Sequence, residues 1–107
     1  GEVDVVTFPA LMGAVSGAVW SDLESAEISA NRRDLQRAWL DAMTGLVVDP
    51  ADGTPADARA VARWELNRLA DRMDGVSATD AYTAAHLEES RARIDKALEA
   101  GLEAEGS

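Results

Sequence analysis

A chain of 107 residues, 47% hydrophobic and 28% charged, has the size and balance of one globular domain that buries a core without covalent or metal staples. A formal net charge of −10 argues against nucleic acid and membrane partners, since such a surface repels phosphate backbones and anionic lipid. The absence of cysteine excludes disulfides and thiolate metal sites and leaves the compartment open.

Residues 1–7 read as a linker or an added remnant, with Val3 to Thr7 the one short strand candidate. The first helix is expected from about Pro9 to Ala26, because Pro9 suits a first turn and Phe8, Leu11, Met12, Val15, Val19 and Leu23 draw one apolar stripe. The apolar stretch from Phe8 to Trp20 is shorter than the roughly 20 residues of a membrane span. No basic start precedes it, so it is not a signal peptide. Gly13 and Gly17 lie one turn apart and allow a close backbone approach, inside the domain or across a dimer seam.

Ser29 caps a second helix reaching about Val47. Leu35, Trp39, Ala42 and Leu46 are its expected stripe, and Leu40, Met43 and Val47 widen it enough to need more than one neighbour. The run from Asp49 to Pro55 is the clearest break. It leads into a third helix with Thr54 as expected cap and Asp57 in the first turn, and with Ala58, Ala62, Leu66, Leu69 and Met73 as core face. Gly75 is placed as a left-handed C-cap. Ser77 or Thr79 opens a fourth helix that buries Ala84, Leu87, Ile94 and Leu98 and ends at Gly101, before a frayed tail over 102–107. The expected architecture is all-α: about four helices forming one small bundle over residues 8–101.

Chemistry is sparse along this scaffold. His86, the single histidine, has no acid three or four residues before it, and a surface or boundary position is expected. No serine sits in a strained Gly-x-Ser-x-Gly turn. Asp49, Asp52 and Asp57 lack the spacing of a calcium loop. Asp34 and Asp41 lie two turns apart, and Glu65 falls beside the apolar stripe of helix three, where pairing with Arg68 or Arg59 at the core margin is expected. The arginines at 32, 33 and 37 and at 59, 63, 68 and 72 read as solvated faces paired with neighbouring acids. Trp20, Trp39 and Trp64 fall one to each of the first three helices. They either pack the bundle with each indole N–H near the surface or form an aromatic contact patch.

Four segments carry a resemblance: Val19-Trp20; Arg33-Asp34-Leu35-Gln36-Arg37 with Asp41; Asp57 through Leu66 with Leu69; and Ala85-His86-Leu87 with Arg91 and Ile94. Together they resemble the helical C-terminal region of large bacterial zinc-dependent metallopeptidases of the metzincin type, the EcxA-like group. The resemblance implies a non-catalytic accessory domain that follows a protease domain and braces it or borders its cleft. The parent would be extracellular or periplasmic and would hydrolyse peptides. The zinc-binding His-Glu-x-x-His pattern is not in these residues, so the resemblance assigns no catalytic or metal residue here, and zinc belongs to the parent alone. The expected partner is the catalytic domain of the same polypeptide or another protein. The alternative is a stand-alone interaction module or small homodimer, with Gly13, Gly17, Trp20, Trp39 and Trp64 as its interface. A small carboxylate enzyme is the third reading.

Overall fold

Local hydrogen bonding decides where each helix begins and stops. The computed structural model describes residues 8–106, with side chains from Met12 to Leu102, so the expectations for residues 1–7 and for the Phe8 and Leu11 side chains lie outside the described residues. Four helices form: α1 Phe8–Val19, α2 Ala30–Val48, α3 Ala56–Asp74 and α4 Ala81–Gly106. No described residue is in a strand. The molecule is a small all-α bundle.

α1 stops at Val19, about two turns before the expected Ala26, because α2 side chains take its last carbonyls. Arg32 Nη1 donates to Ala18 O at 2.9 Å and Gln36 Nε2 to Val19 O at 3.3 Å. Tight turns at Leu23 and Ser25 then carry the chain round, with Trp20 and Leu23 turned wholly into the core. Ser29 caps α2 as expected, accepting from Arg32 N–H at 3.2 Å. Thr54 does not cap α3. Its hydroxyl donates to Ala51 O at 2.6 Å and closes the loop in which Gly53 adopts φ +85°, and Pro55 takes the cap position without a side-chain bond. Gly75 is not left-handed. Its φ is −94° and its N–H bonds Arg72 O, while Val76 N–H bonds Met73 O, so i→i+3 bonds satisfy the end of α3 without a reversal. The cap of α4 is Asp80, whose Oδ1 accepts Thr83 N–H at 2.9 Å. Thr79 instead donates through its backbone and its hydroxyl to Ala26 O, tying the start of α4 to the turn after α1.

Contacting residues rise together along α2 and α4, with Arg33 against Tyr82, Gln36 against His86, Arg37 near Glu89, Asp41 bonded to Arg93 and Val47 against Gly101. The two helices are therefore parallel neighbours. α3 runs opposite to them, with Asp74 at Arg91 and Arg59 and Arg63 beside Gly101. α1 packs on α2 and α3 and not on α4. The result is a slab of 45 × 43 × 20 Å, two helices thick.

α3 buries the expected face, with Ala58, Ala62, Leu66, Leu69 and Met73 all in the core. α2 is rotated from the expected register: Leu35 is 47% exposed and Ala42 is also outside, while Gln36, Trp39, Leu40, Met43 and Val47 turn inward. α4 exposes Ala84 and leaves Leu98 half-buried, and it buries Thr83, His86 and Ser90 beside Leu87, Ile94 and Ala97. It also continues through Gly101 to Gly106. Gly101 is no stop signal: a Cβ there would lie 2.5 Å from Val47 Cγ1, so glycine permits the close approach of α4 to α2. Among the described residues no helix is long and apolar enough to cross a membrane.

Two stability outcomes follow. Leu66→Ala should cost about 2–5 kcal/mol in urea unfolding, as buried leucine truncations do, whereas Leu35→Ala should stay near the roughly 0.5 kcal/mol scale of surface changes. Gly45→Ala, in open space within α2, should gain about 0.4–1 kcal/mol. Gly101→Ala should lose about 1–3 kcal/mol despite better helix propensity, because stiff Val47 cannot yield. Equal gains from the two glycine substitutions would disprove the close α2–α4 contact.

Candidate functional site

The chemistry of the bundle concentrates where α2 and α4 meet the end of α1. Gln36 falls on the α2 stripe of Trp39, Leu40, Met43 and Val47 and is fully buried. Its amide nitrogen donates to Val19 O and, at 3.0 Å, to Asp22 Oδ1. Its Oε1 is then left to accept, and His86 Nε2 lies 2.7 Å away. That arrangement puts the proton of a neutral His86 on Nε2 and leaves Nδ1 a lone pair, buried and without a partner. Trp20 lies nearly parallel to the imidazole, 6.4 Å between centroids, and meets Trp39 edge-on at 5.9 Å. Thr83, one turn before His86, accepts Ile28 N–H on its hydroxyl at 3.0 Å and so holds the turn between α1 and α2 against α4.

His86 is 2% exposed, not at the surface as the sequence led us to expect. Burial pushes its pKa below the usual histidine value, and the Arg37 and Arg33 guanidinium groups push it the same way. The imidazole thus donates to Gln36 in its neutral form through one nitrogen, and its other nitrogen is enclosed in the core. Among the described residues no three His, Asp or Glu side chains converge as metal ligands.

Outside this pair, the α2/α4 seam opens to solvent. Its upper end is a cleft of about 270 Å³ with Arg33, Asp34 and Arg37 on one side and Tyr82, His86 and Glu89 on the other. Arg33 lies 5.8 Å from the Tyr82 ring centroid, and Arg37 is 3.7 Å from Asp34 and 3.9 Å from Glu89. Its lower end is a groove of about 290 Å³ lined by Thr44, Val48, Arg93, Lys96, Ala97 and Ala100.

The five candidate interface residues separate. Trp20 and Trp39 are 0% and 5% exposed and cannot form a contact patch. Their indole N–H groups are also buried and unbonded, contrary to the expectation of indoles at the surface. Trp64 is 58% exposed, with the Arg68 guanidinium 5.1 Å from its ring centroid. Gly13 is half-buried, with Glu65 Oε1 3.7 Å from where its Cβ would be, and Gly17 faces outward with nothing near. Glu65 is 2% exposed, deeper than the core margin, and Arg68 Nη2 approaches its Oε2 to 3.9 Å. Of the arginines read as solvated and paired with neighbouring acids, Arg37 and Arg68 pair with Asp34 and Glu65 one turn away, whereas Arg32 spans to Asp22 at 3.5 Å; Arg91 and Arg93 bond Asp74 and Asp41 on other helices.

Gln36 was missed because hydropathy ranks it as outward, although its spacing to Trp39, Leu40, Met43 and Val47 is that of a core position. His86 was missed likewise, since Thr83, His86 and Ser90 continue the line of Ile94 and Ala97 with polar residues. No family model, curated protein or solved structure matches the chain.

The lowered pKa of His86 gives a pH test. Below about 6.5 an unfolded histidine takes a proton that the folded state refuses. Stability is therefore full above that value and falls as pH drops toward the lowered folded pKa, by at most about 1.4 kcal/mol per pH unit. His86→Gln retains a donor for Gln36 and should remove this slope; unfolding free energies of the two proteins that run parallel from pH 7.5 to 5 would refute the buried neutral histidine.

Proposed function

We propose that this chain is a non-catalytic helical domain that docks, through the outer face of α1, on the protease domain of a zinc metallopeptidase in the same polypeptide. One observation carries the docking: α1 turns an uncharged face outward while Met12 and Val19 face the core. A surface helix ordinarily turns polar side chains outward and apolar ones inward. α1 contains no charged residue, its one hydroxyl, Ser16, is 4% exposed, and Ala14, Val15, Gly17 and Ala18 face out. The outer faces of α2 and α4, by contrast, carry charges, among them Asp34, Arg37 and Asp41 on α2 and Glu88, Glu89, Asp95, Lys96 and Glu99 on α4. An uncharged outer face of this kind is what a helix presents to a second protein surface.

The resemblance of the four helical segments to the metzincin-type C-terminal region supplies the occupant. On that reading the parent is extracellular or periplasmic, zinc and peptide hydrolysis belong to its protease domain, and this bundle braces that domain or borders its cleft. A second reading is self-association as a stand-alone module. Gly17 favours it, because nothing lies within 4 Å of its outward position and two α1 backbones can approach there.

The first test is the coding sequence upstream, which should contain a His-Glu-x-x-His pattern; without one the parental assignment falls. In the full-length enzyme, Val15→Asp should lower the melting temperature of the protease domain while the isolated bundle keeps its helical circular dichroism. Light scattering on the isolated chain separates the readings. A monomer accords with docking in cis, and a dimer that Val15→Asp splits moves the face to self-association.

A further inference from the structure

The two openings along the α2/α4 seam lie in one register. On α2 their walls are Arg33, Arg37, Thr44 and Val48, steps of three, four or seven residues that keep to one side of a helix. On α4 the sequence Tyr82, Glu89, Arg93, Lys96 and Ala100 does the same. Because the two helices are parallel, both openings lie along one side of the seam, with the Arg93–Asp41 pair between them, and form a trough separate from the α1 face. From Arg33 to Val48 it is about 22 Å long at 1.5 Å per residue, the length of four helical turns.

The trough also departs from the rest of the molecule in charge. The chain carries −10, yet Arg33, Arg37, Arg93 and Lys96 line the trough against Asp34 and Glu89. Arg93 is already bonded to Asp41, and Arg37 lies loosely between Asp34 and Glu89. Arg33 lies over the Tyr82 ring and acts on the Asp80 carboxylate at longer range, and neither it nor Lys96 joins a salt bridge with a described carboxylate. The two uncommitted cations therefore sit one at each end. Between and beside them are apolar surfaces left open: Tyr82 is 78% exposed and Val48 45% exposed, with Ala97 and Ala100 leaving room at the floor of the lower groove.

We propose that the α2/α4 trough is a docking site for an acidic amphipathic helix of about four turns from another protein segment. Its apolar stripe fills the lower groove over Val48, and carboxylates near its two ends meet Arg33 and Lys96. A parallel helix pair presents a groove into which the ridge of a third helix fits. The cations select for negative charge and orient the incoming helix, while the apolar floor supplies affinity.

The test is a selection from a defined display library of 16-residue helix-forming peptides, with the purified chain as bait. Enriched peptides should carry net negative charge with apolar residues at i, i+3 and i+4. Their amide shift perturbations should map to Thr44, Val48, Ala97 and Ala100. Arg33→Glu with Lys96→Glu should weaken binding at least tenfold, and circular dichroism should show that this variant stays folded, since neither residue makes a described ion pair. Neutral or basic selected peptides, perturbations on α1 instead of the trough, undiminished binding to the folded double variant, or no enrichment at all would each overturn the proposal. A Val15→Asp chain should bind the peptides as the parent chain does, which separates this site from the α1 face.

Discussion

A single buried amide holds the parts of this molecule in register. Gln36 donates to Val19 O at the end of α1 and to Asp22 in the following turn, and accepts from His86 of α4. A primary amide buried without these bonds would cost several kcal/mol by transfer to an apolar surrounding. With them made, it joins α2 to two other stretches of chain at fixed distances. The end of α1 follows from it, because the carbonyl that would have continued the helix is already taken. The rotation of α2 follows too: with Gln36 inward, Trp39, Leu40, Met43 and Val47 must share its side, and Leu35 is turned out.

The same amide determines the state of the histidine. Since the nitrogen of Gln36 is spent on Val19 and Asp22, only its oxygen faces α4, and His86 must donate. A neutral imidazole satisfies that demand and burial favours it, while Arg33 and Arg37 oppose a second proton from the solvent side. The network includes its own cost, because Nδ1 and the indole N–H groups of Trp20 and Trp39 are buried without partners. The aromatic contacts of Trp20 with His86 and Trp39 offset part of that loss and pack the junction where α2 and α4 meet the turn after α1.

How much of this was legible depended on whether a position announced itself by hydropathy. The core face of α3 was readable because Ala58, Ala62, Leu66, Leu69 and Met73 are apolar and correctly spaced. Helix class and order were readable for the same reason, as were the Ser29 cap and the Asp49–Pro55 break. α2 and α4 were misread at their N-terminal halves, where Gln36, Thr83 and His86 hold core positions with polar side chains. Terminators misled in two places. Gly75 and Gly101 look like stop signals, but i→i+3 bonds end α3, and Gly101 serves a close helix contact inside α4. Of the five residues marked as interface, spacing could not tell Trp20 and Trp39, held under the junction, from Trp64, which stands at the surface.

The slab shape connects the core to the two surfaces proposed for docking. A bundle only two helices thick leaves broad faces uncovered, and the parallel pairing of α2 and α4 gives one of them two openings along a single seam. That pairing is enforced from inside by Gln36 and His86 and by the Val47–Gly101 approach, and from outside by Arg93 with Asp41. Arg93 lies midway, so its bond to Asp41 removes a charge from the centre of the trough and leaves Arg33 and Lys96 to act near the ends. α1 meets no such constraint from α4, which it does not touch, and its outward side carries no charge at all. Two faces thus arise from one arrangement, with opposite means of recognition: shape and apolar contact on α1, charge and groove on α2 and α4. A partner suited to one is unsuited to the other, since burying Arg33 or Lys96 against an uncharged surface would strand a cation.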